Sequence, residues 1–130
     1  MSTQENKAFI QGYLAALSGK AKTPELVNEF VAEQTLKDHI AATEEGFPEY
    51  DLIADHIVAE EDMVSVIGRF DGTHTGSFMG IPPTGKSFAD VPIHITYKVE
   101  AGKIVDHWML VDNAALMQLL GLVPSATRTA

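Results

Sequence analysis

Ile104-Val105-Asp106-His107-Trp108-Met109-Leu110-Val111-Asp112-Asn113-Ala114-Ala115-Leu116-Met117 is the stretch whose reading decides the fold. Ile104 to Val111 is apolar and β-branched enough to be a strand. From about Ala114 the chain reads as a helix that stops at Gly121, with Pro124 just beyond. Strand alternation puts Trp108, Leu110 and Asp112 on one face and His107, Met109 and Val111 on the other. The bulk of Trp108 and Leu110 makes theirs the expected lining of an enclosed space, with Asp112 projecting the same way. A carboxylate in such a run must be hydrogen-bonded, paired or protonated, because desolvating a lone charge is very costly. Asp112 therefore either caps the last helix or does chemistry. Asn113 caps equally well, so both readings stand. Burial would raise the Asp112 pKa, while the adjoining helix N-terminus would lower it.

Working back toward the N-terminus, Ala101-Gly102-Lys103 is a tight turn and Val91 to Val99 an antiparallel partner strand with Pro92 near its start. Met63 to Phe70 is another β-rich run, joined through the polar turn Glu60-Glu61-Asp62 to Ile57-Val58, so a hairpin begins near His56. Gly72, Gly76, Gly80, Pro82, Pro83 and Gly85 mark a loop between the hairpin and the next strand. Three helices precede the sheet. Phe9, Ile10, Tyr13, Leu14 and Leu17 share one helical face ahead of Gly19, and Thr23-Pro24-Glu25 opens a second helix bearing Leu26, Val27, Phe30 and Val31. Thr35 to Glu45 forms the third, closed by Gly46 and Pro48, with Leu36, His39 and Ile40 on one side. Helices on one face of a curved antiparallel sheet make an α+β domain spanning residues 1–130, with a concave apolar pocket suited to a small organic ligand. The tail Ser125 to Ala130 reads as frayed.

Composition narrows the partners. With 18 acidic and 9 basic side chains the net charge is −9, so the surface repels phosphate backbones and anionic lipids, and neither nucleic acid nor membrane is an expected partner. There is no cysteine, which removes thiolate chemistry, disulfides and cysteine metal sites and fits a cytoplasmic protein. No apolar run approaches the roughly 18–20 residues of a membrane span.

Of the five histidines, His39, His56, His74, His94 and His107, no pair has the helical i, i+4 spacing of a zinc motif, so no metal ligand is assigned. His94 alternates with Pro92 and Thr96, and His74 with Phe70, Gly72 and Phe78; either could face a pocket. His39, on an apolar helix face, needs a polar partner inside. The glycine-rich segments match neither a phosphate-binding loop nor a dinucleotide fingerprint, and no nucleotide cofactor is indicated.

Phe70-Asp71-Gly72-Thr73-His74-Thr75-Gly76, Gly80-Ile81-Pro82-Pro83-Thr84-Gly85-Lys86, Gly102-Lys103-Ile104-Val105-Asp106-His107-Trp108, Asp112 and Gln118-Leu119-Leu120-Gly121 together resemble the SnoaL-like polyketide cyclases. His39 and Phe47-Pro48-Glu49-Tyr50 also look like family positions, so the resemblance covers nearly the whole chain. It implies the nuclear-transport-factor-2-like (NTF2-like) cone and a cofactor-independent intramolecular aldol ring closure on a hydrophobic carbonyl compound. The position of Asp112 would supply the acid/base. Asp112 and His94 are the catalytic candidates, and Tyr13, His39, Phe70, His74, Phe78 and Trp108 the substrate-binding candidates. A homodimer formed through the exposed face of the sheet is expected. The alternative is a non-catalytic module that binds a small molecule or a protein on the same cone.

Overall fold

The computed structural model describes residues 2–122; Met1, Pro124 and the tail Ser125 to Ala130 lie outside them. Helix α1 (Thr3–Leu17) starts earlier than its apolar stripe, because Ser2 and Glu5 form a reciprocal capping box. Helix α2 (Pro24–Asn28) is capped by the Thr23 hydroxyl and begins with proline, as its sequence predicts. Helix α3 (Gln34–Gly46) follows. Strands β1 (Asp51–Glu60), β2 (Met63–Thr73), β3 (Ser87–Glu100) and β4 (Lys103–Val111) form one antiparallel meander in the order β1-β2-β3-β4, and α4 (Asn113–Leu119) closes the chain.

β1 begins at Asp51, well before His56. Its early half lacks a clean alternation because the pairing with β2 shifts between Ala54 and His56. Gly68 sits opposite the shift with its Cα against the Ile53 carbonyl, where no Cβ would fit.

Cross-strand register sorts the sheet into two faces. Val64, Tyr97 and His107 form one inward row, and Val66, Ile95 and Met109 the next. Ser65, Thr96 and Trp108, then Ile67, His94 and Leu110, are the outward rows between them. On the inner side the sheet packs Val64, Val66, Ile95 and Tyr97 against Ile10, Tyr13, Leu14 and Leu17 of α1 and Leu36 and Ile40 of α3 in one apolar cluster. Helices against one face of a curved sheet are the arrangement the resemblance implies.

β4 reverses the expected orientation of its two faces. Pairing with β3 jumps from Val99↔Ile104 to Lys98↔Asp106, so Val105 is an extra residue on β4. The bulge lets the fully buried Ile104 and His107 share the inner side, three positions apart. His107, Met109 and Val111 consequently face inward. Trp108, 51% exposed, and Leu110, 78% exposed, lie on the outside.

Past the bulged end, Val31 bridges Ile104 in parallel, with Ala32 N donating to Ile104 O and Ile104 N to Phe30 O. The link between α2 and α3 thus runs along the free edge of β4, and Glu33 is placed beside His107.

Candidate functional site

Between α1, α3, α4 and the inner side of the sheet lies a cavity of about 360 Å³. Ile93, Ile95, Phe70, Met109, Val111 and Leu116 make its walls apolar, and Phe78 and Met79 of the loop after β2 form part of its lip. Its polar atoms come from Tyr13, Tyr50, Tyr97, His39, Thr43 and Asn113. The three tyrosines are each less than 10% exposed, at 3%, 8% and 1% in that order. Burial pushes all three phenols well above their usual range. They are neutral hydroxyls at any ordinary pH, able to donate to a carbonyl oxygen.

Of the substrate-binding candidates, Tyr13, His39, Phe70 and Phe78 line this cavity. The others do not. Trp108 is turned outward by the β4 bulge. His74 is buried, but beneath the glycine- and proline-rich loop: Thr84 N donates to its Nδ1 at 3.2 Å, the Thr84 hydroxyl lies 3.0 Å away, and His74 N donates to Lys86 O. Its ring rests against Phe47. A register shift between Phe70 and Gly72 breaks the alternation that linked it to Phe70, and His74 serves to pin the loop. His94 keeps the predicted phase with Pro92 and Thr96, yet that phase is the exposed one.

Asp112 is exposed and is the N-cap of α4; its Oδ1 accepts from Ala115 N at 2.9 Å. The expectation that it projects into an enclosed space beside Trp108 and Leu110 is therefore corrected: the face it shares with them is the outer one. Asn113, the alternative cap, lies inside the helix as its first residue and lines the cavity. Val111 lines it too, so Asp112 sits at the rim between two cavity residues, and its Oδ2 has no hydrogen-bond partner among the described residues.

A second polar group at the mouth was only half visible in the sequence. His39 Nδ1 lies 3.3 Å from His107 Nε2, and His107 Nδ1 lies 2.6 Å from Glu33 Oε1. The two imidazoles meet edge to face with centroids 5.3 Å apart. Side-chain exposure is 5% for His107 and 19% for Glu33, while His39 is exposed at the cavity mouth. His39 thus meets a polar partner, but at the exposed mouth and not inside, where its apolar helix face had placed it. That partner is 68 residues away, a separation no local spacing rule spans. Glu33, Asp106 and His107 also hold ligand-capable atoms within 4.8 Å of one another, the one such group among the described residues.

The SnoaL-like polyketide cyclase family matches residues 13–120. Among solved structures, AclR from Streptomyces galilaeus, a candidate hydroxylase, superposes with a TM-score of 0.80 at 24% identity, covering 98% of this chain and 87% of its own. A candidate SnoaL-like polyketide cyclase from Jannaschia sp. CCS1 gives 0.78 at 20% identity, with 94% and 95% covered. IdmH from Streptomyces antibioticus, a candidate polyketide cyclase, gives 0.71 at 25% identity, with 90% and 99% covered. No curated protein matches.

Proposed function

The chain belongs to the SnoaL-like polyketide cyclase family, and from that premise we propose that it is a cofactor-independent enzyme performing intramolecular aldol-type ring closure, or a related lyase or isomerase step, on a hydrophobic carbonyl compound. The observation that carries this reading is the 360 Å³ cavity itself: apolar walls, three neutral tyrosine hydroxyls and ionisable groups confined to the mouth. Such a space folds a flexible substrate so that its two reacting carbons meet, and effective molarity supplies much of the acceleration. The tyrosine hydroxyls hydrogen-bond carbonyl or enolate oxygens and stabilise charge as it develops. The enolate is delocalised over the substrate's own carbonyls, so the proposed reaction calls for no cofactor.

Asp112 at the rim is the proposed acid/base residue. One oxygen holds the α4 cap while Oδ2 remains free to exchange a proton with a substrate seated between Val111 and Asn113. Asp112→Asn separates chemistry from capping, since asparagine caps a helix as well as aspartate does. With an aromatic polyketide methyl ester as substrate, the expected result is a ring-closed product of unchanged elemental composition, formed at least about 10²-fold more slowly by the variant. Near-normal turnover by Asp112→Asn would sink its acid/base role. Recovery of the ester unaltered from the native protein would favour the alternative, a non-catalytic binding module.

Val58, Ile67, Trp108 and Leu110 are exposed on the outer side of the sheet and support pairing with a second copy. No helix among the described residues is long and apolar enough to cross a membrane; the cysteine-free composition supports the cytoplasm as its location.

A further inference from the structure

We infer that His39 is a second proton-transferring residue at the cavity mouth, with His107 and Glu33 as the positioning residues behind it; the inference rests on the acid/base reading of the cavity above. The order of the hydrogen bonds sets which nitrogen carries each proton. The Glu33 carboxylate only accepts, so the 2.6 Å contact requires the proton on His107 Nδ1. A neutral His107 then has a lone pair at Nε2, which makes His39 the donor, through Nδ1–H, in the 3.3 Å contact. The proton on His39 is thereby held at Nδ1. Its Nε2 is left as a lone pair with no hydrogen-bond partner among the described residues, on a side chain that lines the cavity.

This is the logic of a carboxylate-oriented histidine base with one more imidazole inserted. His39 Nε2 takes the proton from the carbon next to a carbonyl; the C–H electrons become the enolate. The positive charge can then move inward, His39 Nδ1–H passing its proton to His107 Nε2. The imidazolium so formed lies against the Glu33 carboxylate, with the Asp106 carboxylate in the same cluster. On the neighbouring strand His107 pairs with Tyr97, whose buried phenol stays neutral, so no cation opposes the transfer from that side. When the enolate carbon bonds to the second carbonyl carbon, the new alkoxide takes the proton from His39 Nε2–H while His107 Nε2–H returns its proton to His39 Nδ1, restoring the starting tautomers. Atoms and charge balance with no external reagent.

A purely structural tie between β4 and the segment before α3 would need the Glu33–His107 contact alone. It would not require a second imidazole at the mouth with its remaining nitrogen free.

The test uses 2-tetralone, a hydrophobic ketone, and follows enzyme-catalysed exchange of its α-protons in deuterated buffer by mass spectrometry. His39→Gln is expected to lower kcat/KM by about 10²-fold with unchanged circular dichroism, and to erase the histidine limb of the pH–rate profile. Glu33→Gln and His107→Gln should cost less. Nitrogen-15 NMR of the imidazoles gives a substrate-independent check, with His107 protonated at Nδ1 and neutral His39 unprotonated at Nε2. A normal rate and pH profile in His39→Gln, while Asp112→Asn is inactive, overturns the relay and leaves the proposed function standing. Failure of the native protein to accelerate exchange overturns both. Loss of rate on treatment with a chelator, restored by zinc, overturns the relay by reassigning Glu33, Asp106 and His107 as metal ligands.

Discussion

Raising the pH above 10 should unfold this protein through its tyrosines. All three tyrosines of the chain are buried around the cavity, and burial raises each phenol pKa. A group whose pKa is higher folded than unfolded contributes stability that is intact below the unfolded value, near 10, and is lost as pH climbs toward the folded one. Each tyrosine therefore removes about 1.4 kcal/mol per pH unit above 10, and the three together about 4 kcal/mol per unit. A domain stable by roughly 5–15 kcal/mol exhausts its margin between about pH 11 and 14. The assay is paired absorbance at 295 nm and far-ultraviolet circular dichroism on one titration. The phenolate signal and the loss of structure should coincide in one steep transition. Phenolate appearing near pH 10 with an undisturbed dichroism spectrum would refute the argument, and with it the claim that the cavity hydroxyls are sequestered donors.

Asp112→Ala should lower stability by about 1 kcal/mol in urea unfolding, through loss of the bond to Ala115 N, while Asp112→Asn stays within a few tenths. Gly68→Ala drives a methyl group into the Ile53 carbonyl and should cost about 2 kcal/mol or more by thermal melting, unless β1 shifts register. Leu110→Glu places a charge at the centre of the exposed apolar rows; light scattering should then report a monomer, against the dimer proposed for the native protein.

The sequence carried the element order because it is written in local patterns: the 3.6-residue stripe through Ile10, Tyr13, Leu14 and Leu17, the Thr23-Pro24 start, and the turn at Ala101-Gly102-Lys103. Alternation within β4 was also legible, since His107, Met109 and Val111 do share a side. Which side faced the core was not. Trp108 is the largest apolar group in the run and draws the reading inward, but the extra residue at Val105 rotates it outward, and a bulge has no clear signature without its partner strand. His94 fell to the same ambiguity, because period 2 sorts a strand into two faces without labelling them. Tyr13, Phe70 and Phe78 line the cavity, and of these only Tyr13 lies on a face, that of α1, whose apolar period pointed inward. Glu33 and His107 were missed for a different reason. Their meeting depends on the Val31–Ile104 bridge, a contact across more than seventy residues. The available clue was His39 itself, a polar residue on an apolar stripe with its partner still to be found.

That bridge also bears on how copies of this protein can meet. Sheets commonly associate by adding strands at an open edge, and such growth has no natural limit. Here the β4 edge beside Ile104 is taken by Phe30 and Ala32, whose backbone groups occupy the ladder positions a foreign strand would need. At the opposite edge, β1 is kinked at its register shift, where Asp55 is held by Arg69, and ends in the acidic Glu60, in a chain already at −9. With the bulged end of one margin covered and the other kinked, the self-association proposed above would fall to the broad outer surface, where a twofold pairing closes on itself and stops at two.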